Sequence, residues 1–257
     1  GNKYSFKLQF FREFVIIFEK KEVFYMRKVN YHTHTYRCHH ALGNEEEYVQ
    51  KAIEGGFEEL GFADHTPWYY ANGYVSGMRM KSEQLDGYIE SLKALRQRYA
   101  KDISIKIGLE CEYCEEKMPW LKELLESKAI DYIILGNHFH GSDEYGIYYG
   151  RLTDSVETLR NYVEDVKKAC DTGLYSYLAH PDLIHYKDTK DRHYQQAMTE
   201  LCLYTKKAHL PLEFNLLGFK EHRHYPCDDF WKIAAKCQCQ VIIGIDAHEP
   251  SRLADQE

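Results

Sequence analysis

Seven stretches of the chain begin as apolar runs and finish on metal-type or polar side chains. They are RKVNYHTH at 27–34, FEELGFADH at 57–65, ISIKIGLE at 103–110, IDYIILGNH at 130–138, GLYSYLAH at 173–180, LPLEFN at 210–215 and CQVIIGIDAH at 239–248. Each reads as a short strand. Between them the apolar period lengthens to that of a helix. Asn44 precedes the acidic turn Glu45, Glu46, Glu47, after which Tyr48, Val49, Ala52 and Ile53 recur at helical spacing until Gly55-Gly56 stops the run. Ser82 opens a second helix with Leu85, Tyr88, Ile89, Leu92 and Leu95 on one stripe, and further helices are expected near 117–127, 155–171, 191–208 and 228–237.

Strand and helix alternate, which admits an open doubly wound sheet or a closed barrel. An open sheet gathers ligands at one switch point, whereas here metal-type residues end nearly every strand, as a closed parallel ring requires. The expected fold class is α/β, a seven-stranded barrel whose strand ends share one mouth. A chain of 257 residues suits one such domain better than two small ones. Residues 1–25 stand apart, aromatic-rich and without a metal-type ending, and Met26 just ahead of the first strand is a candidate start. The expected division is an N-terminal extension at 1–25, or an added outer helix there, followed by a barrel domain at 26–257.

The net charge of −7 argues against duplex nucleic acid as a partner, because binding the phosphate backbone rests on clustered Lys and Arg. Eight cysteines without small-scaffold spacing read as reduced thiols of a cytoplasmic protein, the Cys111/Cys114 pair included. No apolar run approaches a membrane span, and FVIIF at 14–18 is flanked by charge too closely for a signal-peptide core, so no membrane association is expected.

The 14 histidines are the compositional outlier. His32-Thr33-His34 at a strand end puts two imidazoles on one side, because strand side chains repeat every two residues. Asp246-Ala247-His248 repeats that spacing on the last strand, the neighbour of the first in a closed ring. Together with His65, Glu110, His138 and His180 they form a ligand set for more than one ion, and borderline metals such as Zn, Mn and Fe accept imidazole with carboxylate. Glu110 is the candidate bridging carboxylate, and Asp64 a candidate for orienting an imidazole from behind. His39 and His40 lie in the loop after the first dyad, where one of them could reach a third ion. No G-x-S-x-G, phosphate-cradling P-loop or G-x-G-x-x-G occurs, and Cys38 beside His39 and His40 is a poorer nucleophile than a metal-activated water.

On those residues the chain resembles the polymerase and histidinol phosphatase (PHP) superfamily across 27–250. His32-Thr33-His34, Asp64-His65, Gly108-Leu109-Glu110, His138, His180 and Asp246-Ala247-His248 follow the order of its motifs, and His40 falls where trinuclear members carry a loop histidine. The wording GLECEY at 108–113, AHPDLI at 179–184 and EFNLLG followed by YP at 213–226 is similar to the histidinol-phosphate phosphatase branch. The chain runs only nine residues past His248, shorter than the resemblance implies, without losing a proposed ligand.

The resemblance implies a distorted (β/α)7 barrel, two or three divalent transition-metal ions (Zn, Mn or Fe) and hydrolysis of L-histidinol phosphate. It would place His32, His34, Glu110 and Asp246 on one ion, Glu110, His138 and His180 on a second, and His40, His65 and His248 on a third. Asp246 would also relay a proton to the departing alkoxide, with Glu110 and Asp64 the other catalytic candidates. Arg151, Lys220, His222 and Arg223 are candidates for the phosphate, and Glu213 and Asn215 for the cationic end of the substrate. The alternatives are a PHP phosphoesterase for nucleotides or phosphotyrosine, and a non-catalytic metal-stabilised module.

Overall fold

A computed structural model of the chain describes residues 27–254, so the expected extension at 1–25 lies outside the described residues. Four parallel strands form one sheet in the order β1 (Val29–Asn30), β2 (Glu59–His65), β3 (Ser104–Cys111), β4 (Tyr132–Leu135). A small antiparallel hairpin, β5 (Phe139–His140) with β6 (Ile147–Tyr148), follows, and β7 (Leu212–Asn215) pairs in parallel with β8 (Val241–Gly244). The main sheet curls, and single bridges connect the pieces: Leu135 with Leu178, Leu178 with Leu212, and Thr33 with Ala247.

The expected strand at 173–180 is reduced to the bridging residue Leu178, yet its backbone is bonded on both sides. Ser176 and Ala179 donate to Ile133 and Leu135, while Leu178 donates to Pro211 and accepts from Glu213. Similarly, regular pairing covers only Val29–Asn30 of the first expected strand.

The helices fall where the apolar stripes put them. Helix α1 (Glu45–Glu54) begins with a capping box between Asn44 and Glu47 and is capped by Gly55. Helix α2 (Leu85–Arg98) starts three residues later than Ser82, which opens a 3-10 turn instead, and buries Leu85, Tyr88, Ile89, Leu92 and Leu95. Then come α3 (Met118–Glu126), α4 (Val156–Thr172), α5 (Arg192–Lys207), the short α6 (Leu216–Lys220), α7 (Asp228–Cys237) and α8 (Ser251–Ala254).

Strand alternation sorts two cores. Leu60, Phe62, Ile107, Leu109, Ile133, Leu135, Leu212 and Phe214 face the helices. Ala63, Ile134, Tyr177 and Ala179, with Tyr31, Tyr132 and Ile242 against them, make a separate inner cluster. Gly108 leaves room for it, since a Cβ there would lie 2.5 Å from the Tyr132 ring. One step further along the strands the inward positions become His65 and Glu110, which are register partners.

Candidate metal centre

The imidazoles of His32 and His34 follow β1, with their Nε2 atoms 3.1 Å apart. Glu110 Oε2 lies 3.5 and 3.4 Å from these two nitrogens, and Asp246 Oδ1 lies 3.3 Å from each. The other Glu110 oxygen, Oε1, is 3.0 Å from His180 Nε2 and 3.2 Å from His138 Nε2. His65 Nδ1 stands 3.0 Å from Glu110 Oε2. His34, His65 and His248 present ring nitrogens within 4.8 Å of one another, as do Cys38, His40 and His248 their ligand atoms. Gly136 permits this crowding: a Cβ there would come within 2.3 Å of Glu110 Oε1.

These contacts suit a shared cation better than hydrogen bonding. Glu110 Oε2, Asp246 Oδ1 and His65 Nδ1, all at these contacts, are buried without a hydrogen-bond partner. Each such group costs about 1–3 kcal/mol or more to leave unsatisfied. Ligand atoms held about 2.0–2.2 Å from a tetrahedral ion sit roughly 3.3–3.6 Å apart, and the five separations around His32, His34, Glu110 and Asp246 run from 3.1 to 3.5 Å. The donor set therefore fits a borderline divalent cation.

Electrostatics agree. Burial raises the pKa of Glu110 and Asp246, but the surrounding imidazoles outweigh it and hold both well below the usual carboxylate range. Burial likewise lowers His32 and His34, yet the facing carboxylates raise both well above an ordinary imidazole. His138 is pushed up to about 9 by Glu110 and Glu112 against the same burial penalty. Burial wins at His248, lowered to about 3, with His34 adding to it.

Behind the ligands lies a row of acceptors and amides. Glu213, expected to face the substrate, is fully buried. Its Oε1 is 2.7 Å from His32 Nδ1, while Oε2 accepts from the His180 backbone N–H and from Asn215. Asn215 is equally committed: it also donates to Asp246 Oδ2 and accepts from Gly218 at the start of α6. Both orient ligands instead of lining the cavity, because the inward side of β7 meets His32 before it meets solvent. Asp64 grips Thr35 through its backbone N–H and hydroxyl and stands 3.8 Å from His34 Nδ1, too far for the expected hydrogen bond.

Two residues in this row were not singled out from the sequence. Glu112 Oε1 lies 3.0 Å from His138 Nδ1, and Glu112 is held by a forked pair of 3.1 Å bonds from Arg79 and by the Trp68 indole. Arg79 also reaches Asp143, on the hairpin loop, at 3.3 Å. The signal available was Glu112 two residues after Glu110. Asn30 bonds the His32 carbonyl, the Thr33 hydroxyl and the Ile245 N–H, stitching the first strand to the last.

The centre floors a cavity of about 610 Å³. Met78, Phe139, Tyr148, Leu183, Leu217 and Tyr225 give it apolar walls, and Arg223, Glu221 and Glu249 stand at its rim. Of the four phosphate candidates only Arg223 lines this cavity; His222 belongs to a neighbouring groove, and Arg151 and Lys220 line neither. Among the described residues no helix is long and apolar enough to cross a membrane.

An α/β fold with a curled parallel sheet and a buried imidazole–carboxylate centre for divalent cations defines the class. The chain belongs to the PHP domain family, whose model matches residues 30–217. A Deinococcus radiodurans protein named "Probable histidinol-phosphatase" is 30% identical over 232 residues, covering 86% of each chain. In fold, the chain is similar to a crystal structure from Listeria monocytogenes, with a TM-score of 0.71 at 23% identity over 89% of this chain and 98% of that one. It is also similar to the Lactococcus lactis histidinol phosphate phosphatase solved with zinc, L-histidinol and phosphate, with a TM-score of 0.67 at 20% identity over 87% of each chain.

Proposed function

We propose that this chain is a metal-dependent phosphomonoesterase that hydrolyses L-histidinol phosphate to L-histidinol and phosphate. The observation that carries the reading is the pair of partnerless carboxylate oxygens, Glu110 Oε2 and Asp246 Oδ1, facing the Nε2 atoms of His32 and His34 at the floor of one cavity. Family membership and the names of the relatives add the substrate. His32, His34, Glu110 and Asp246 would hold one ion, Glu110, His138 and His180 a second, and His40, His65 and His248 a third. When bound, such cations neutralise phosphate oxygens and make water a nucleophile at neutral pH.

The chain's own groups do the remainder. Glu213 and Glu112 fix the tautomers of His32 and His138 by accepting at Nδ1, leaving each Nε2 lone pair toward the centre. Arg223 spends three of its five N–H groups on Glu221 and Tyr225, so two remain to hold the phosphate. Asp246, ionised and steadied at Oδ2 by Asn215, would relay a proton to the departing alkoxide. Glu249, whose side-chain partner among the described residues is Ser251, offers its carboxylate to the cationic end of the substrate. The ring reads as a distorted (β/α)7 barrel if the Leu178 segment counts as the strand between β4 and β7.

The test is phosphate release from histidinol phosphate, nucleoside phosphates, a phosphotyrosine peptide and an aryl phosphate, each with Mn, Zn and Fe. Sites that hydrogen-bond a group reject analogues lacking it by about 10⁴-fold, so kcat/KM for histidinol phosphate should exceed that for the aryl ester by roughly a thousandfold. Equal rates across the panel would overturn the substrate assignment and leave a general phosphoesterase.

A further inference from the structure

One wall of the cavity is built from two separate segments that meet at a single carboxylate. Phe139 and Tyr148 are register partners on the β5–β6 hairpin, with ring centroids 5.3 Å apart, and Met78 comes from the loop after β2. The base of the hairpin is fixed: Tyr149 N–H donates to the His138 carbonyl at 2.8 Å, and His140 Nδ1 lies 2.8 Å from Asp165 Oδ2 on α4. A two-stranded ladder this short does not hold itself, and its far end gains little from burial, since Tyr145 and Ile147 are 78% and 52% exposed. Asp143, in the turn of the hairpin, supplies the missing fastening. Its carboxylate accepts from the Tyr70 and Ser76 hydroxyls and from Arg79 Nε at 3.3 Å, and its carbonyl oxygen accepts from the Tyr74 hydroxyl at 3.2 Å. All four donors lie between positions 70 and 79, and Ser76 in turn accepts the Met78 N–H at 3.2 Å.

Charge separates this fastening from the metal centre. Arg79 faces two carboxylates, Glu112 through a forked pair of bonds and Asp143 through Nε. Arg79 and Glu112 balance each other without Asp143, so Asp143 is not needed to hold Glu112 behind His138. What depends on Asp143 is where Met78, Phe139 and Tyr148 stand above the centre. These side chains are largely apolar and bear on the organic half of an ester, whereas the phosphate half belongs to the cations and Arg223.

We propose that Asp143 is a positioning residue for substrate recognition: by tying the hairpin to the 70–79 loop it sets the wall that receives the alcohol half of the ester. The inference rests on the phosphomonoesterase reading above, but not on which alcohol is esterified.

The test compares Mn-loaded wild type with Asp143→Ala, using the ester of the panel with the highest kcat/KM, so a wrong choice of alcohol above leaves it intact. Amide hydrogen exchange should quicken at 70–78 and 139–148 in the variant. KM for the ester should rise roughly tenfold, because three wall side chains must then be ordered on binding, while kcat moves much less. Inorganic phosphate, as a competitive inhibitor, should bind the variant as it binds the wild type. Asp143→Asn keeps one acceptor and should recover part of the lost KM. Tyr74→Phe removes only the bond to the Asp143 carbonyl and should raise KM about threefold, the value of one neutral hydrogen bond; these two variants carry the test if Asp143→Ala does not fold. Quickened exchange with an unchanged ester KM would reduce Asp143 to a structural tie and overturn the proposal. A loss shared equally by ester and phosphate would overturn it as well, by placing the effect at the metal centre.

Discussion

Arg79 and Glu112 form a buried ion pair directly behind the ligand-type His138, and cutting one partner should damage both stability and metal binding. Both residues are 2% exposed. At an effective dielectric of 20, unit charges about 3.1 Å apart attract by roughly 5 kcal/mol, and the desolvation of each ion offsets much of that. Removing one member leaves the other as an uncompensated buried charge, which costs about 3–5 kcal/mol. Arg79→Met should therefore destabilise the metal-free protein by that amount in urea unfolding.

Arg79→Met combined with Glu112→Gln removes both charges and keeps one amide oxygen for His138, while the amide NH2 leaves the Trp68 indole without its acceptor. Asp143 would lose Arg79 but keep the Tyr70 and Ser76 hydroxyls, so recovery should be partial, with a coupling of about 2 kcal/mol in the double-mutant cycle. Isothermal titration of the same variants with Mn or Zn should show affinity falling about 10–100-fold in Glu112→Ala, as expected when the group behind a ligand histidine is lost. Additive stability effects in the cycle, with unaltered metal affinity in Glu112→Ala, would refute the reasoning.

Glu110→Gln should lose bound metal and lower kcat more than about 100-fold, which elemental analysis and a phosphate-release assay measure together; near-normal turnover would show that Glu110 does not bridge. Gly136→Ala should impair metal binding with little effect elsewhere, because its Cβ would press on Glu110 Oε1 and His138; calorimetry showing normal affinity would count against the crowded centre. His138 in the metal-free chain holds its proton up to about 9, so a cation binding there below that pH must displace it. Metal affinity should rise with pH toward 9, with proton release visible in buffers of different ionisation enthalpy. The sign for folding is opposite: the contribution of His138 to metal-free stability is fully present below its ordinary 6.5 and is lost as pH rises through about 9. Glu249→Ala should raise KM for histidinol phosphate roughly fivefold, the value of about 1 kcal/mol at an exposed ion pair, and leave the aryl phosphate unchanged.

The strand ends were legible because a buried histidine or carboxylate closing an apolar run is costly without a function, and that signal is local. The start and stop of the first helix at Asn44 and Gly55 were legible for the same reason: capping is written in adjacent residues. What stayed hidden depends on partners far apart in the chain. Alternation says that Glu213 points inward from β7, but only the position of His32, across the ring, decides that it meets an imidazole before it meets a ligand. Glu112 carries only the weak signal of its spacing from Glu110, because β3 ends at Cys111 and the chain then delivers Glu112 to an arginine 33 residues away. The segment at 173–180 is bonded to both neighbours yet too irregular for an extended ladder, which composition alone does not reveal.

The irregularity has a cause in the site itself. His180 and Asp246 are non-glycine residues with φ of 30° and 54°, conformations that cost of the order of 1–3 kcal/mol and persist only where the surroundings enforce them. One side chain, Glu213, accepts from the His180 backbone with one oxygen and holds the His32 ring with the other, and Asn215 joins it to Asp246. The backbone strain at two ligand-type residues and the orientation of a third are thus borne by a single buried pair on β7. An ion entering the centre meets ligands already turned toward it, so the ordering cost is met largely in folding and little of it remains for binding.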